Sequence, residues 1–312
     1  MIRHGLALTS VLVAASVAGA WNDLGHMVVA RLAWQDLTAA ERAKVVGYLK
    51  SHPHAVEFLK ARRPENIPED EWVFLRAATW ADWVRSHHAK EFNVGERHYI
   101  NYPVKAPGSS VAAPEPDEKA ENVVSGITNQ FKVATAGGDQ ATRAVAITWL
   151  FHLVGDIHQP LHAVALFSDT FPQGDRGGNL STVRIAGGGV VRLHSFWDGL
   201  LGSTVSRAET LKGALEVSKL GDGDQGLAKE LSDHTTPASW AKESAAVATA
   251  VVYRNGELKP ANTTTRPKDA DIPTTPDDYG AKAGEAARRR VYSAGKRLAE
   301  VLRQVIQAND KG

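Results

Sequence analysis

From Thr142 to Val154 the chain is almost entirely apolar, and it runs on without interruption as HLVGDIHQPLH. A helix without a polar face is buried on all sides. Pro160 ends it, because proline lacks the N–H and its ring clashes with the preceding turn. The rest of the chain has to pack around this segment. His152 and Asp156 lie four residues apart on it, hence on one helix face, where an imidazole and a carboxylate can hold a single metal ion.

The same pattern returns in LHSFWD, with His194 and Asp198 at the same spacing, while HQPLH adds His162. TWADWVR and RHYIN contribute Asp82 and His98. Two separate His-x-x-x-Asp pairs in a chain with 0 cysteines point to metal bound by nitrogen and oxygen. These segments hold enough ligands for more than one zinc ion, and they fall short of completing three.

The amino terminus offers the missing groups. Residues 1–20 have the parts of a secretory signal: Arg3, an apolar run from about Leu6 to Val17, and Ala18-Gly19-Ala20 as a small-residue cleavage site. The run is shorter than the roughly 20 residues of a membrane span. The expectation is a cleaved leader, a secreted or periplasmic protein without a membrane anchor, and a chain that starts at Trp21. A free α-amine, with a pKa of about 8, and the Trp21 carbonyl oxygen can close a five-membered chelate on a metal. His26 is near enough to join it.

Loss of the leader removes one Arg and no acidic residue from the totals of 36 basic and 35 acidic side chains, leaving a formally neutral chain. Such a chain does not grip nucleic acid by charge alone. The lack of cysteine excludes disulfides, thiolate zinc sites and cysteine nucleophiles. Stability has to come from a large core, which the 43% apolar composition allows. Thr38 and Glu41 form a capping box for a helix to about Lys50, and residues 26–37 have helical spacing. Val291, Ala294, Leu298, Val301, Leu302 and Val305 mark one face of a long C-terminal helix. Strand signal is confined to a hairpin over residues 180–194, and segments 105–118 and 259–278 read as loops. The fold class is mainly α, with residues 21–312 as one compact domain carrying a small β-hairpin.

The segments WNDLGH, WADWVR, RHYIN, HLVGDIHQPLH, DRGGN and LHSFWD, in this order between residue 21 and about residue 200, make the chain resemble the zinc-dependent single-strand nucleases, the S-one/P-one family. The absence of cysteine resembles a bacterial-type branch. The resemblance implies a fold related to zinc phospholipase C and three Zn²⁺ ions in one cleft. Asp82, His98 and His152 then hold one ion, Trp21 and His26 a second, Asp156 bridges these two, and His162, His194 and Asp198 hold the third. It implies Asp82, Arg85 and Asp156 as catalytic residues, with Arg85 donating to the phosphate in the transition state. Tyr99 would stack on a base, Asn101 would bond its edge, and Asn179 would contact substrate from the DRGGN loop, a segment that reads equally as a glycine turn before the hairpin. The expected activity is cleavage of single-stranded DNA and RNA to 5′-phosphates, together with 3′-nucleotidase action on nucleotides, by a monomer. Three divalent ions would supply the positive charge that the neutral chain lacks.

Two other functions compete. Zinc phospholipase C also starts at a tryptophan and shares the spacing of His152, Asp156 and His162, but His26 follows Trp21 too closely and Asp198 stands where a glutamate is expected. A non-catalytic zinc-binding export protein would leave Arg85, Tyr99 and Asn101 without a role. Among residues outside the ligand set, His52, His54, His87, His88 and His234 read as solvated. His158 reads equally as a partner to the ligands or as a structural hydrogen bonder. Trp34, Trp72, Trp80, Trp83, Trp149, Trp197 and Trp240 read as core, and Arg288 to Arg290 as the polar side of the last helix.

Overall fold

A computed structural model describes residues 21–203, 205–221 and 224–311. The leader sequence lies outside the described residues. The apolar segment forms the helix Gln140–Asp156, which opens on the Asp139 side chain accepting from the Thr142 N–H at 2.7 Å. Residues 146–156 of this helix are all buried. The helices Ala39–Leu49, Val123–Thr135 and Tyr279–Asp310 pack around it. The first helix, Asp23–Asp36, lies against the C-terminal helix and Arg207–Ser218. One continuous apolar cluster runs through all of these. Among the described residues no helix is long and apolar enough to cross a membrane.

The capping box at Thr38 and Glu41 is present, with both reciprocal bonds made. The hairpin pairs Ser181–Arg184 with Val190–Arg192. Segment 259–278 is only partly a loop: Ala261–Asn262 adds an edge strand to the hairpin, because the Thr263 N–H bonds the Leu180 carbonyl and draws the chain alongside. A second sheet had no signal in the sequence. Tyr102–Lys105 pairs in parallel with Val164–Phe167, two short segments without the alternation that marks a half-buried strand. This pairing matters for the site, since it lays the chain after His98 beside the chain after His162.

Two readings need correction, and the structure decides between the two given for His158. His52 and His54 are buried, not solvated: the Trp80 indole N–H donates to His54 Nδ1 at 3.0 Å, and the His54 backbone N–H donates to His52 Nδ1 at 3.0 Å. Arg290 is not on a polar face. Only 2% of its side chain is exposed, and it is held by Glu230 and Glu243 from two neighbouring helices. His158 is structural, donating from Nδ1 to the Val154 carbonyl at 2.7 Å and accepting at Nε2 from Arg297 at 2.8 Å. The tryptophans do belong to the core, with Trp34 and Trp83 only partly covered.

Candidate metal centre and substrate cleft

The last turn of the central helix delivers His152 and Asp156 to one buried point, and three other elements converge on it. His26 comes from the first helix and stacks on His152 with ring centroids 4.1 Å apart. Asp82 comes from the helix Trp80–His87 and His98 from the end of the turn Gly95–His98. His98 Nδ1 stands 2.9 Å from Asp156 Oδ2 and 3.1 Å from His152 Nε2, which is itself 3.2 Å from that oxygen. The other carboxylate oxygen, Oδ1, lies 3.3 Å from His26 Nε2. Asp156 therefore presents one oxygen to His98 and His152 and the other to His26. Asp82, half-buried, is 3.9 Å from His152 Nε2.

A second point is built by His162, His194 and Asp198. The two Nε2 atoms are 3.2 Å apart, and His194 Nε2 is 3.5 Å from Asp198 Oδ2. His162 reaches this point because the parallel strand pair fixes its segment, with the Ile100 N–H on the His162 carbonyl at 2.8 Å. Trp21 is fully buried, and the N–H of Asn22 bonds the Asp198 carbonyl at 3.3 Å, so the chain at residues 21–22 lies against this second group.

Both groups fit a cation on their own geometry. Tetrahedral ligands at about 2.0–2.1 Å from zinc stand roughly 3.3 Å from one another, which is close to the edges of both sets. The orientation of the rings agrees. His152, His162 and His194 each donate from Nδ1 to a backbone carbonyl, of Ala78, His98 and Gly177 respectively, at 2.8, 2.7 and 2.5 Å. Each therefore turns its Nε2 toward its group, the orientation in which a neutral imidazole offers a lone pair to a cation. Burial takes His162 down to about 3. His26 Nδ1 is buried without a hydrogen-bond partner, and His26 Nε2 and Asp156 Oδ1 face only each other, which is costly in a protein interior.

Charges within the first group are strongly coupled. Burial acts to lower His152, but Asp156 and Asp82 more than offset it and push it up to about 9. Asp156 is held well below the carboxylate range despite its burial, chiefly by His152. Asp82 is lowered against its own burial by His152 and His98. His26 is lowered by burial and by His152 beside it. In the second group burial raises Asp198 well above the usual range, opposed by a hydrogen bond from Gln159 Nε2 to Oδ1 at 2.7 Å. That bond leaves Oδ2 to face His194. Gln159 was not singled out in the sequence; its place between Asp156 and His162 was the only sign.

A cavity of about 650 Å³ opens beside His98, His162 and His194, walled by Arg85, Tyr99, Asn101, Arg176 and Asn179. Arg85 pairs with Asp82 at 3.2 Å. Tyr99 is 41% exposed, unusually open for a tyrosine next to buried ligands. The DRGGN loop forms one wall. Asp175 anchors it from inside, accepting from the Leu166 N–H and from the hydroxyls of Ser181 and Tyr253. Gly177 is required there. Its φ is +60°, and a Cβ would meet the Leu161 carbonyl at 2.2 Å. Asn179 faces the cavity but turns its amide back onto the Arg176 carbonyl at 3.0 Å.

Gly155 shows how little space surrounds His26. A Cβ there would stand 2.6 Å from His26 Nδ1. Gly to Ala inside a helix ordinarily stabilises by about 1 kcal/mol, whereas Gly155→Ala must displace the His26 ring. Its expected effect is a fall in metal affinity at the His26 group on the order of 10–100-fold, with the His162–His194–Asp198 group unaffected. Competitive titration against a chelator measures both.

The profile of the S1/P1 Nuclease family matches residues 21–307. Two relatives are similar over shorter stretches. Endonuclease 4 of Arabidopsis thaliana is 28% identical over 176 residues, covering 53% of this chain and 52% of that protein. Nuclease S1 of Aspergillus oryzae is 27% identical over 192 residues, covering 61% of this chain and 57% of its own. The chain thus spans little more than half the length of the relatives it matches.

Proposed function

The chain belongs to the S1/P1 nuclease family, and from this premise we propose that it is an exported zinc-dependent phosphodiesterase. It cleaves single-stranded DNA and RNA to 5′-phosphate products and removes phosphate from 3′-nucleotides at the same centre. The observation that carries this reading is the pair of ligand groups with edges of about 3 Å, set beside a cavity whose charged side chains are guanidinium groups.

In this reading Asp82, His98 and His152 hold one zinc ion, the amine and carbonyl of Trp21 with His26 hold a second, Asp156 bridges them, and His162, His194 and Asp198 hold the third. The start of the family match at Trp21 supports a chain that begins there. Bound zinc would supply Lewis-acid polarisation of phosphoryl oxygen and a nucleophile at neutral pH. The protein does the rest. Asp82 orients Arg85, whose guanidinium donates to the phosphate oxygens as charge builds on them. Tyr99 stacks on an unpaired base, and Asn101 bonds its edge. Stacking demands a free base face, and every base has one, so single strands are favoured with little sequence preference.

The test is an assay of zinc-loaded protein on a single-stranded oligonucleotide, its duplex, a 3′-nucleotide and phosphatidylcholine. The reading expects cleavage of the single strand and the 3′-nucleotide, with end-labelling showing 5′-phosphates. Hydrolysis of the lipid alone would replace it with the phospholipase reading. Zinc uptake with no turnover of any substrate would replace it with a storage role.

A further inference from the structure

Arg176 was not singled out in the sequence. It sits in the DRGGN loop with φ +56°, a conformation uncommon for residues other than glycine. Backbone conformation alone does not distinguish it, since Arg62, Arg254 and Arg266 share the left-handed region. What distinguishes it is its surroundings. Its side chain is exposed and lines the cavity beside the ligand groups. It makes no hydrogen bond or ion pair with any described residue, whereas Arg85, also in the cavity wall, is engaged with Asp82. None of the described residues lining the cavity carries a carboxylate.

The loop also fixes where this guanidinium is tethered. Asp175 on one side is locked in the interior by three hydrogen bonds. Gly177 on the other side accepts from His194 Nδ1. Arg176 is therefore attached between a buried anchor and the backbone carbonyl that orients a ligand.

We infer that Arg176 binds a second, non-reacting phosphate of the substrate strand, and so sets the preference for phosphodiester chains over mononucleotides. This rests on the nuclease reading above. Arg85 lies next to Asp82 in the first ligand group and serves the reacting phosphate. Arg176 lies on the wall formed with Asn179 and His194, where a strand that has one phosphate at the centre can present its neighbour. A 3′-nucleotide has no neighbouring phosphate to offer. A planar, permanently charged fork suits a phosphate oxygen pair.

The test uses the zinc-loaded full chain with Arg176→Gln, Arg176→Lys and Arg176→Gly. For Arg176→Gln, the ratio of kcat/KM on a short oligonucleotide to that on a 3′-nucleotide should fall about tenfold, with the change in KM rather than kcat. Binding of a non-hydrolysable phosphorothioate strand, followed by fluorescence anisotropy, should lose about 0.7 from its log-log salt slope, the value for one phosphate contact on a single strand. Arg176→Lys should keep the slope. Arg176→Gly suits the backbone conformation, so its loss of oligonucleotide preference without a fall in melting temperature separates binding from loop structure. An unchanged ratio and slope in both the Gln and Gly variants would overturn the inference while leaving the nuclease reading intact. Wild-type protein that cleaves neither substrate, yet binds the phosphorothioate strand with a slope dependent on Arg176, would sink the nuclease reading and keep the assignment of Arg176 to phosphate.

Discussion

Asp156→Asn should abolish most activity and loosen metal at two places together. Asp156 is fully buried and faces His98, His152 and His26 through its two oxygens. The amide keeps the shape, removes the charge, and turns one of those oxygens into an N–H₂ group that cannot ligate. Replacing a residue that only supports a ligand typically costs 10–100-fold, so loss of a carboxylate in the bridging role proposed above should exceed about 100-fold in kcat. Metal analysis should show both ions of the first group weakened and the His162–His194–Asp198 group intact. A variant with full metal content and the wild-type rate would refute the bridging role.

Glu243→Ala should cause the largest loss of stability. The carboxylate takes Arg297 at 2.6 and 3.0 Å and Arg290 at 3.3 Å, and all three side chains are at least nine-tenths buried. Removal leaves two guanidinium groups in the interior, with Glu230 still facing Arg290. Breaking such a buried pair costs about 3–5 kcal/mol, a fall in melting temperature of roughly 5–8 °C for a chain of this size. A loss under about 1 kcal/mol would mean that the network relaxes to solvent. Arg297 also donates to His158, which lies between Asp156 and His162, so the variant should lose metal at a lower temperature than wild type.

The features legible in the sequence were local ones. The capping pair Thr38 and Glu41, the apolar run ending at Pro160 and the four-residue spacing of His152 and Asp156 state their geometry within a few residues. The structure assembles the ligand side chains quoted from those motifs into two groups. Features made by distant partners left no such trace. Nothing near Tyr102 announces a parallel partner at Val164, and Pro103 argues against a strand. His52 and His54 read as solvated because their covering group, Trp80, is more than twenty residues away. Arg290 lies in a run of three arginines and looked solvent-facing until Glu230 and Glu243 came against it. Gln159 and Arg176 went unnoticed for a related reason. Each is flanked by residues with stronger signals, and their roles depend on which way a side chain points.

The proposed function requires that the chain be cut before Trp21 and that the new amino terminus ligate a metal ion. Intact mass and zinc content, measured on the exported protein and on a form with one extra residue ahead of Trp21, test it most directly. The account predicts a mass that begins at Trp21 with three zinc ions per chain, and in the extended form the loss of one ion together with most nuclease activity. An extended form that keeps all its zinc and cleaves single strands at the same rate would contradict it.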